Sequence, residues 1–475
     1  MDDIKHKAVH AFFWKFLEKI SLQGCQFIIS IILARILSPS DYGLIGMLTV
    51  FIAISNIIIE SGFVKALIQK KDCTEVDYST AFIINFVLSS AIYGILFISA
   101  PFIADFYNEP ILCDLLRILS INIVIASLNI SQRAKLMKTI DFKSLTKINF
   151  TGTVCGGVIG IIMAYSGFGV WALVGQYITN TTVAFFLFPL FSKWRPSFRF
   201  SKESFKKLFG FGSNILIISV VDMIIRNIST ICIGKFYKSS QLGYFTRARQ
   251  FTDIIIGSLG DVVNSVTFPV LSECQSDEKR MKHVYKKSLF YTAAFIFPFM
   301  VTLSLLSEPL ISLLLTDKWL PCVPLMQIMC FTTMMYPIIG LNSNLVNATG
   351  HSEWYRNLNL ISTPLSLLML AITIPIGVKA IVIGELVLIN ISFLINGYFP
   401  KKILGYGAIE ELLDWKYIII SLLIEAFFIN LFLTNVSDRW LQLLGGSVIA
   451  VITYSVSMMY IFKAIKLKEI KSLFK

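Results

Sequence analysis

Arg226, Arg247 and Arg249 stand in largely apolar sequence, with only Asp222 and Asp253 of opposite sign close by. An ionisable side chain inside a membrane-spanning helix is costly and normally faces a partner or a water-filled cavity. Arginine suits a phosphate there, because its planar fork donates two parallel hydrogen bonds. Asp222 and Arg226 are four residues apart, as are Arg249 and Asp253, so each pair could close on itself along one helix face. Arg247 has no carboxylate three or four residues away, and the cluster as a whole is positive. A second group, Lys15, Glu18 and Lys19, interrupts the first apolar segment. It either snorkels to the interface or forms a second basic site.

Glu385 and Glu425 each lie mid-segment with no basic residue within four positions. Each could bind a coupling cation, or be protonated and packed against another helix; Glu425 could also touch a lipid chain. No enzyme constellation appears. The histidines, His6, His10, His283 and His351, show no zinc spacing, and there is no nucleophile elbow or P-loop. None of the eight cysteines sits in a C-x-x-C pair. Cys113 and Cys322 both fall near the expected outer surface, and a disulfide between them is disfavoured. The reading is therefore no enzyme, no metal and no cofactor.

The elements that carry these residues follow from composition. Of the 475 residues, 55% are hydrophobic and 15% charged, against about 25% charged in a soluble domain. Apolar runs of roughly 20 residues, enough to cross a bilayer, recur along the whole chain. They fall near 12–36, 42–63, 81–104, 115–132, 148–166, 170–191, 208–233, 242–270, 288–315, 323–346, 358–376, 379–399, 416–434 and 440–462. The spacing predicts an all-α integral membrane protein of about 14 transmembrane helices, since each helix satisfies its own backbone in lipid. A β-barrel would alternate over shorter segments. The charges in the first run argue for a retained helix over a cleaved signal.

Most of the 42 Lys and Arg fall in alternate loops, which places both termini in the cytosol. Topology and anionic headgroups explain the net charge of +13 without nucleic acid. The chain also repeats. ARILSPSDYGL at 34–44 aligns with GKFYKSSQLGY at 234–244, matching Arg35 with Lys235, Ser40 with Ser240 and Gly43 with Gly243. A weaker echo relates 101–110 to 309–319.

Residues 1–200 and 201–400 are thus expected to be two pseudo-symmetric six-helix lobes, parallel repeats about an axis along the membrane normal. Residues 401–475 add a helix pair and a basic tail. In this frame Arg226 and Arg249 lie about 10–12 Å below the outer surface at 1.5 Å rise per residue. Lys15, Glu18 and Lys19 lie two to three turns in from the cytosol. Gly152, Gly156 and Gly160 form a close-packing stripe. Pro298, Pro337 and Pro364 predict kinks inside helices.

Several stretches carry a family likeness: ILARILSPSDYGLIGMLTVFIAI (32–54), GFVKALIQKKDCTEVDYSTAF (62–82), APFIADFYNEP (100–110), IIMAYSGFGVWALVGQ (161–176), LGYFTRARQF (242–251) and KWLPCVPLMQIMCF (318–331). Through them the sequence resembles the Wzx-type polysaccharide flippases of the multidrug/oligosaccharidyl-lipid/polysaccharide exporter superfamily, over essentially the whole chain. It looks closest to the colanic-acid and lipopolysaccharide type. The resemblance implies a bacterial inner-membrane carrier that moves an undecaprenyl-pyrophosphate-linked oligosaccharide from the cytosolic to the outer leaflet. It implies a basic central cavity for the headgroup and a groove beside the last two helices for the prenyl tail. Membrane lipids and polysaccharide assembly proteins are the expected partners.

Two other readings compete. A cation-coupled drug exporter of the same superfamily would favour an acidic cavity. A membrane polysaccharide polymerase or ligase would need a sizeable outer loop, and the outer turns here, such as 166–169 and 435–439, are short. A peptidoglycan-precursor flippase also fits the fold.

Overall fold

The computed structural model describes residues 21–69, 73–197, 199–275 and 277–461. Contacts group the chain into two compact units, Met1–Gly243 and Tyr244–Lys475. The first unit holds α1 (Ser21–Ile36), α2 (Pro39–Gln69), α3 (Glu75–Tyr107), the short helices α4 (Ile111–Leu119), α5 (Ile121–Ser127) and α6 (Ile130–Lys138), then α7 (Phe142–Tyr165), α8 (Trp171–Ser192) and α9 (Lys202–Phe236). Helix α10 (Ser239–Glu273) begins in the first unit and runs into the second. The second unit continues with α11 (Glu278–Leu305), α12 (Ser307–Leu315), a 3-10 turn at Asp317–Cys322, α13 (Val323–Thr333), α14 (Tyr336–Ala348), α15 (Ser352–Thr373), α16 (Val378–Asn396), α17 (Tyr398–Leu404), α18 (Ala408–Asp414), α19 (Lys416–Asn435) and α20 (Arg439–Val456). No strand occurs among the described residues.

By length and composition, nine helical stretches among the described residues can cross a membrane. A tenth is the bent run Ile111–Ser127 plus Ile130–Lys138, which turns by 42°. The other four predicted segments are also helical where described. Two are short, at Ser21–Ile36 and Leu360–Thr373. The remaining two, α9 and α10, interrupt their apolar surface with Asp222, Arg226 and Lys235, and with Arg247, Arg249 and Asp253. The helices most costly to place in lipid are thus the ones carrying the candidate site.

Helix starts follow local chemistry. Ser38 and Asp41 exchange cap bonds at the head of α2, Asp41 Oδ2 accepting from the Ser38 amide at 2.8 Å. Thr74 and Asp77 form a capping box on α3. Asp277 caps α11 through the Arg280 amide and Asp438 caps α20 through the Leu441 amide.

The residues matched by the sequence repeat meet reciprocally within the first unit. A Cβ on Gly43 would overlap the Ser239 carbonyl, and a Cβ on Gly243 would overlap the Pro39 carbonyl. Positions 39 and 43 therefore touch positions 239 and 243, backbone against backbone. Ser239 Oγ also donates to Ser40 Oγ at 3.4 Å.

The prolines divide into two kinds. Pro298 sits inside α11 and removes the amide that would bond the Ala294 carbonyl. Tyr454 of α20 donates its hydroxyl to that carbonyl at 2.8 Å. One turn on, the Thr302 hydroxyl lies 2.8 Å from the Pro298 carbonyl and 2.6 Å from Glu425 Oε1 on α19. The break thus becomes the docking point for the C-terminal pair α19–α20. Pro364 also lies inside a helix, α15. Pro337 corrects the sequence reading. Helix α13 ends at Thr333, and Pro337 lies in the first turn of α14, where its missing amide costs nothing.

Candidate functional site

In the first unit, α2 packs along α9. On α9 the Arg226 Nε donates to Asp222 Oδ2 at 2.8 Å, so this i,i+4 pair does close on itself. Both side chains stay open, at 71% and 56% exposure. Lys15, Glu18 and Lys19 lie outside the described residues.

In the second unit the Arg249–Asp253 pairing that the spacing allows gives way to a longer-range one. Arg249 Nη2 reaches both carboxylate oxygens of Glu385 on α16, at 3.1 Å each. The side chains are only 24% and 18% exposed. The Arg249 guanidinium also stacks over Phe245, 4.8 Å from the ring centre. Asp253, one turn along α10, is exposed. Arg247 is buried at 3% exposure. Its Nη1 donates to Gln250 Oε1 at 2.6 Å, and its guanidinium lies 5.3 Å from the buried Trp319 ring. Trp319 in turn meets Tyr244 edge-on at 6.1 Å. Two of the family-like stretches, 242–251 and 318–331, therefore join through an arginine–indole contact.

So the three arginines have different surroundings. Arg226 is open, Arg249 ties α10 to α16, and Arg247 belongs to a packed aromatic cluster. Glu425 is fully buried on α19 with Thr302 as its partner, which places it away from lipid chains.

Beside α19 lies an apolar groove of about 490 Å³. Phe297 and Val301 of α11, Phe393 and Leu394 of α16, Trp415, and Leu422 and Ala426 of α19 line it. Among the described residues, its lining carries the Asn390 amide and the Trp415 indole as polar groups. Trp415 forms an aromatic floor, stacked on Phe393 at 5.7 Å and edge-on to Phe297 at 5.5 Å. Helix α16 thus carries Glu385 at the ion pair and Asn390, Phe393 and Leu394 in the groove. Sequence reasoning did not find these groove residues, because apolar side chains facing lipid, a partner helix or a groove read alike.

One buried acid was also missed. Glu411, on the short helix α18, is fully buried. The Tyr285 hydroxyl donates to Asn342 Oδ1 at 2.7 Å and lies 3.2 Å from Glu411 Oε1. Nearby, Lys286 pairs with Asp414 at 2.8 Å and Lys401 with Glu410 at 3.1 Å. Burial raises the Glu411 carboxyl to about 7, opposed by the Tyr285 hydrogen bond and reinforced by the Glu410 charge. The folded state then binds more protons than the unfolded chain between the ordinary carboxyl value and pH 7. Stability falls as pH rises through that window, by about 3 kcal/mol once it is passed. Glu411→Gln should remove this penalty. Thermal unfolding of the variant should match wild type at pH 4.5 and be clearly higher at pH 8. An equal gap at both pH values would show that Glu411 does not titrate there.

No group of His, Cys, Asp or Glu among the described residues is arranged to hold a metal ion, and all eight cysteines are free.

The model of the family described as "Polysaccharide biosynthesis protein" matches residues 32–324. The teichuronic acid biosynthesis protein TuaB of Bacillus subtilis is 26% identical over 301 residues, covering 63% of this chain. The match spans 62% of TuaB's own length. The lipopolysaccharide biosynthesis protein WzxC of Escherichia coli is 23% identical over 350 residues, covering 73% of this chain and 70% of that one. Among solved structures, the lipid II flippase MurJ in an inward closed conformation superposes with a TM-score of 0.74. It covers 96% of this chain and 99% of its own at 16% identity, a likeness of fold. The chain belongs to the polysaccharide biosynthesis protein family and is an all-α integral membrane protein with the same fold as that lipid flippase.

Proposed function

We propose that this protein is a flippase that carries an undecaprenyl-pyrophosphate-linked oligosaccharide from the cytosolic to the outer leaflet of the bacterial inner membrane. It works by alternating access, with both termini cytosolic, and serves the synthesis of a surface polysaccharide. The observation that carries this reading is the apolar groove beside α19, which shares helix α16 with the Arg249–Glu385 pair. A lipid-linked sugar needs a dry track for its chain and a polar, basic place for its headgroup. Arg226, open and adjacent to Asp222, is the best placed of the three arginines to meet a pyrophosphate. Lys15 and Lys19 are the candidates for the cytosolic side. Asp253, Glu18 and Glu425 remain candidates for coupling.

The experiment is leaflet assignment. Cells lacking the protein should accumulate the lipid-linked oligosaccharide where a membrane-impermeant lectin reaches it only in inverted vesicles. The wild-type chain should restore labelling from the outside. Unpolymerised oligosaccharide already outside in the null cells would overturn the proposal and favour a polymerase or ligase.

A further inference from the structure

Glu411, Tyr285 and Asn342 form a polar chain in the second unit, none of them above 1% exposure. The Tyr285 hydroxyl has one proton and two neighbours, Asn342 Oδ1 at 2.7 Å and Glu411 Oε1 at 3.2 Å. While it donates to Asn342, Glu411 can bond it only as the neutral acid, through an Oε1 proton. An ionised Glu411 would draw the hydroxyl to itself and leave Asn342 Oδ1 without a donor until the amide turned over. Glu411 Oε2 and Asn342 Nδ2 have no hydrogen-bond partner among the described residues. A carboxylate in this place would hold its charge on one hydrogen bond, which is costly in a buried site.

The cations nearby are committed elsewhere. On α11, Lys286 pairs with Asp414 and Lys282 Nζ donates to the Gly405 carbonyl at 3.4 Å, while His283 lies on the exposed side. On α17, Lys401 pairs with Glu410 and Lys402 lies over the Trp354 ring. Lys416, at the start of α19, lies over Tyr417. Tyr406 donates to Asp414 at 2.7 Å. Helix α14 presents the Asn342 amide, and the end of α16 beside α18, residues 393–396, has no ionisable side chain.

The acid sits directly under the apolar groove. Leu412, the next residue, lines it, as does Trp415. The Trp415 amide donates to the Glu411 carbonyl at 3.1 Å, and the Ile419 amide to the Trp415 carbonyl at 2.8 Å. Helix α18 is therefore continuous with the groove floor, and α11 fastens it at Glu411 and Asp414.

We propose that Glu411 is a proton site that governs this groove: as the neutral acid it holds α18 against α11, and on losing its proton to water it lets α18 and the Trp415 floor come away. The inference deepens the flippase reading and rests on it only for what the groove carries.

The test is amide hydrogen exchange of the full chain in lipid nanodiscs, from pH 5.5 to 8.5, corrected for the intrinsic pH dependence of exchange. The amides read are those of Glu411, Trp415 and Ile419. Their protection should fall about tenfold between pH 6 and pH 8, as linkage requires for a carboxyl at about 7 when closed and at its ordinary value when open. Glu411→Gln should hold protection level across the range. Tyr285→Phe removes the bond that steadies the carboxylate, so it should carry the fall to higher pH. Level protection in the wild type overturns the proposal, as does an equal fall in wild type and Glu411→Gln, which would assign the titration to another group. A fall at Glu411 without one at Trp415 overturns the link to the groove. The wild-type curve decides even where a variant fails to fold. The fall in a chain that moves no lipid-linked sugar would sink the flippase reading and keep the proton site; transport with level protection would do the reverse.

Discussion

Arg249→Ala should sharply reduce the folded protein in the membrane, whereas Arg226→Ala should leave the folded yield unchanged and still reduce surface polysaccharide by tenfold or more. The two arginines differ in what their removal strands. Arg249 is the counter-charge of Glu385 at 3.1 Å, with both side chains largely buried. Removing one member of such a pair costs about 3–5 kcal/mol, because the other charge loses its counter-charge. Neutralising both, with Arg249→Gln and Glu385→Gln together, should recover most of the yield. Arg226 is exposed and bonded only to its helical neighbour Asp222 among the described residues. Losing an exposed pair of this kind costs less than about 1 kcal/mol of stability. Its loss as a phosphate ligand would remove one charge-assisted hydrogen bond or more, roughly ten- to a hundred-fold in affinity. Fluorescence-detected size exclusion measures the yield, and polysaccharide at matched protein levels measures transport. Wild-type polysaccharide from Arg226→Ala would dismiss it as the headgroup contact. Full yield from Arg249→Ala would dismiss the tie between α10 and α16.

Ala426→Trp should block transport while Phe427→Trp, its neighbour on α19, should not. Ala426 lines the groove, and Phe427 is 64% exposed. A prenyl chain gains no hydrophobic energy by leaving lipid for this groove, since lipid tails are as apolar as the groove wall. What the groove supplies is fit. Displacing ten or so close carbon contacts forfeits about 1–2 kcal/mol, roughly a tenfold loss in occupancy. Steric closure adds to that. Both variants should fold alike, so melting temperature separates blockage from damage. Equal transport in the two would mean that the groove does not hold the lipid.

The spans were legible because a bilayer imposes length and apolarity residue by residue. The repeat was legible because Gly43 and Gly243 had to be glycine. The self-closing Asp222–Arg226 pair was also readable, since helical spacing makes neighbours of positions four apart. Glu385 was not, because its partner Arg249 lies 136 positions away and only packing brings them together. Pro337 was misplaced for a similar reason. A proline in an apolar run marks either a kink or a fresh start, and the backbone beyond it decides which.

The reciprocal contact of Gly43 with Ser239 and Gly243 with Pro39 has a consequence for descent. Two matching segments are free to diverge wherever each is surrounded by its own residues. Here each segment's main chain is the wall of the other, so a side chain gained by one is a collision for both. Positions 43 and 243 should therefore each stay glycine, whereas their neighbours Pro39 and Ser239, which meet them through main chain alone, are free to differ and do.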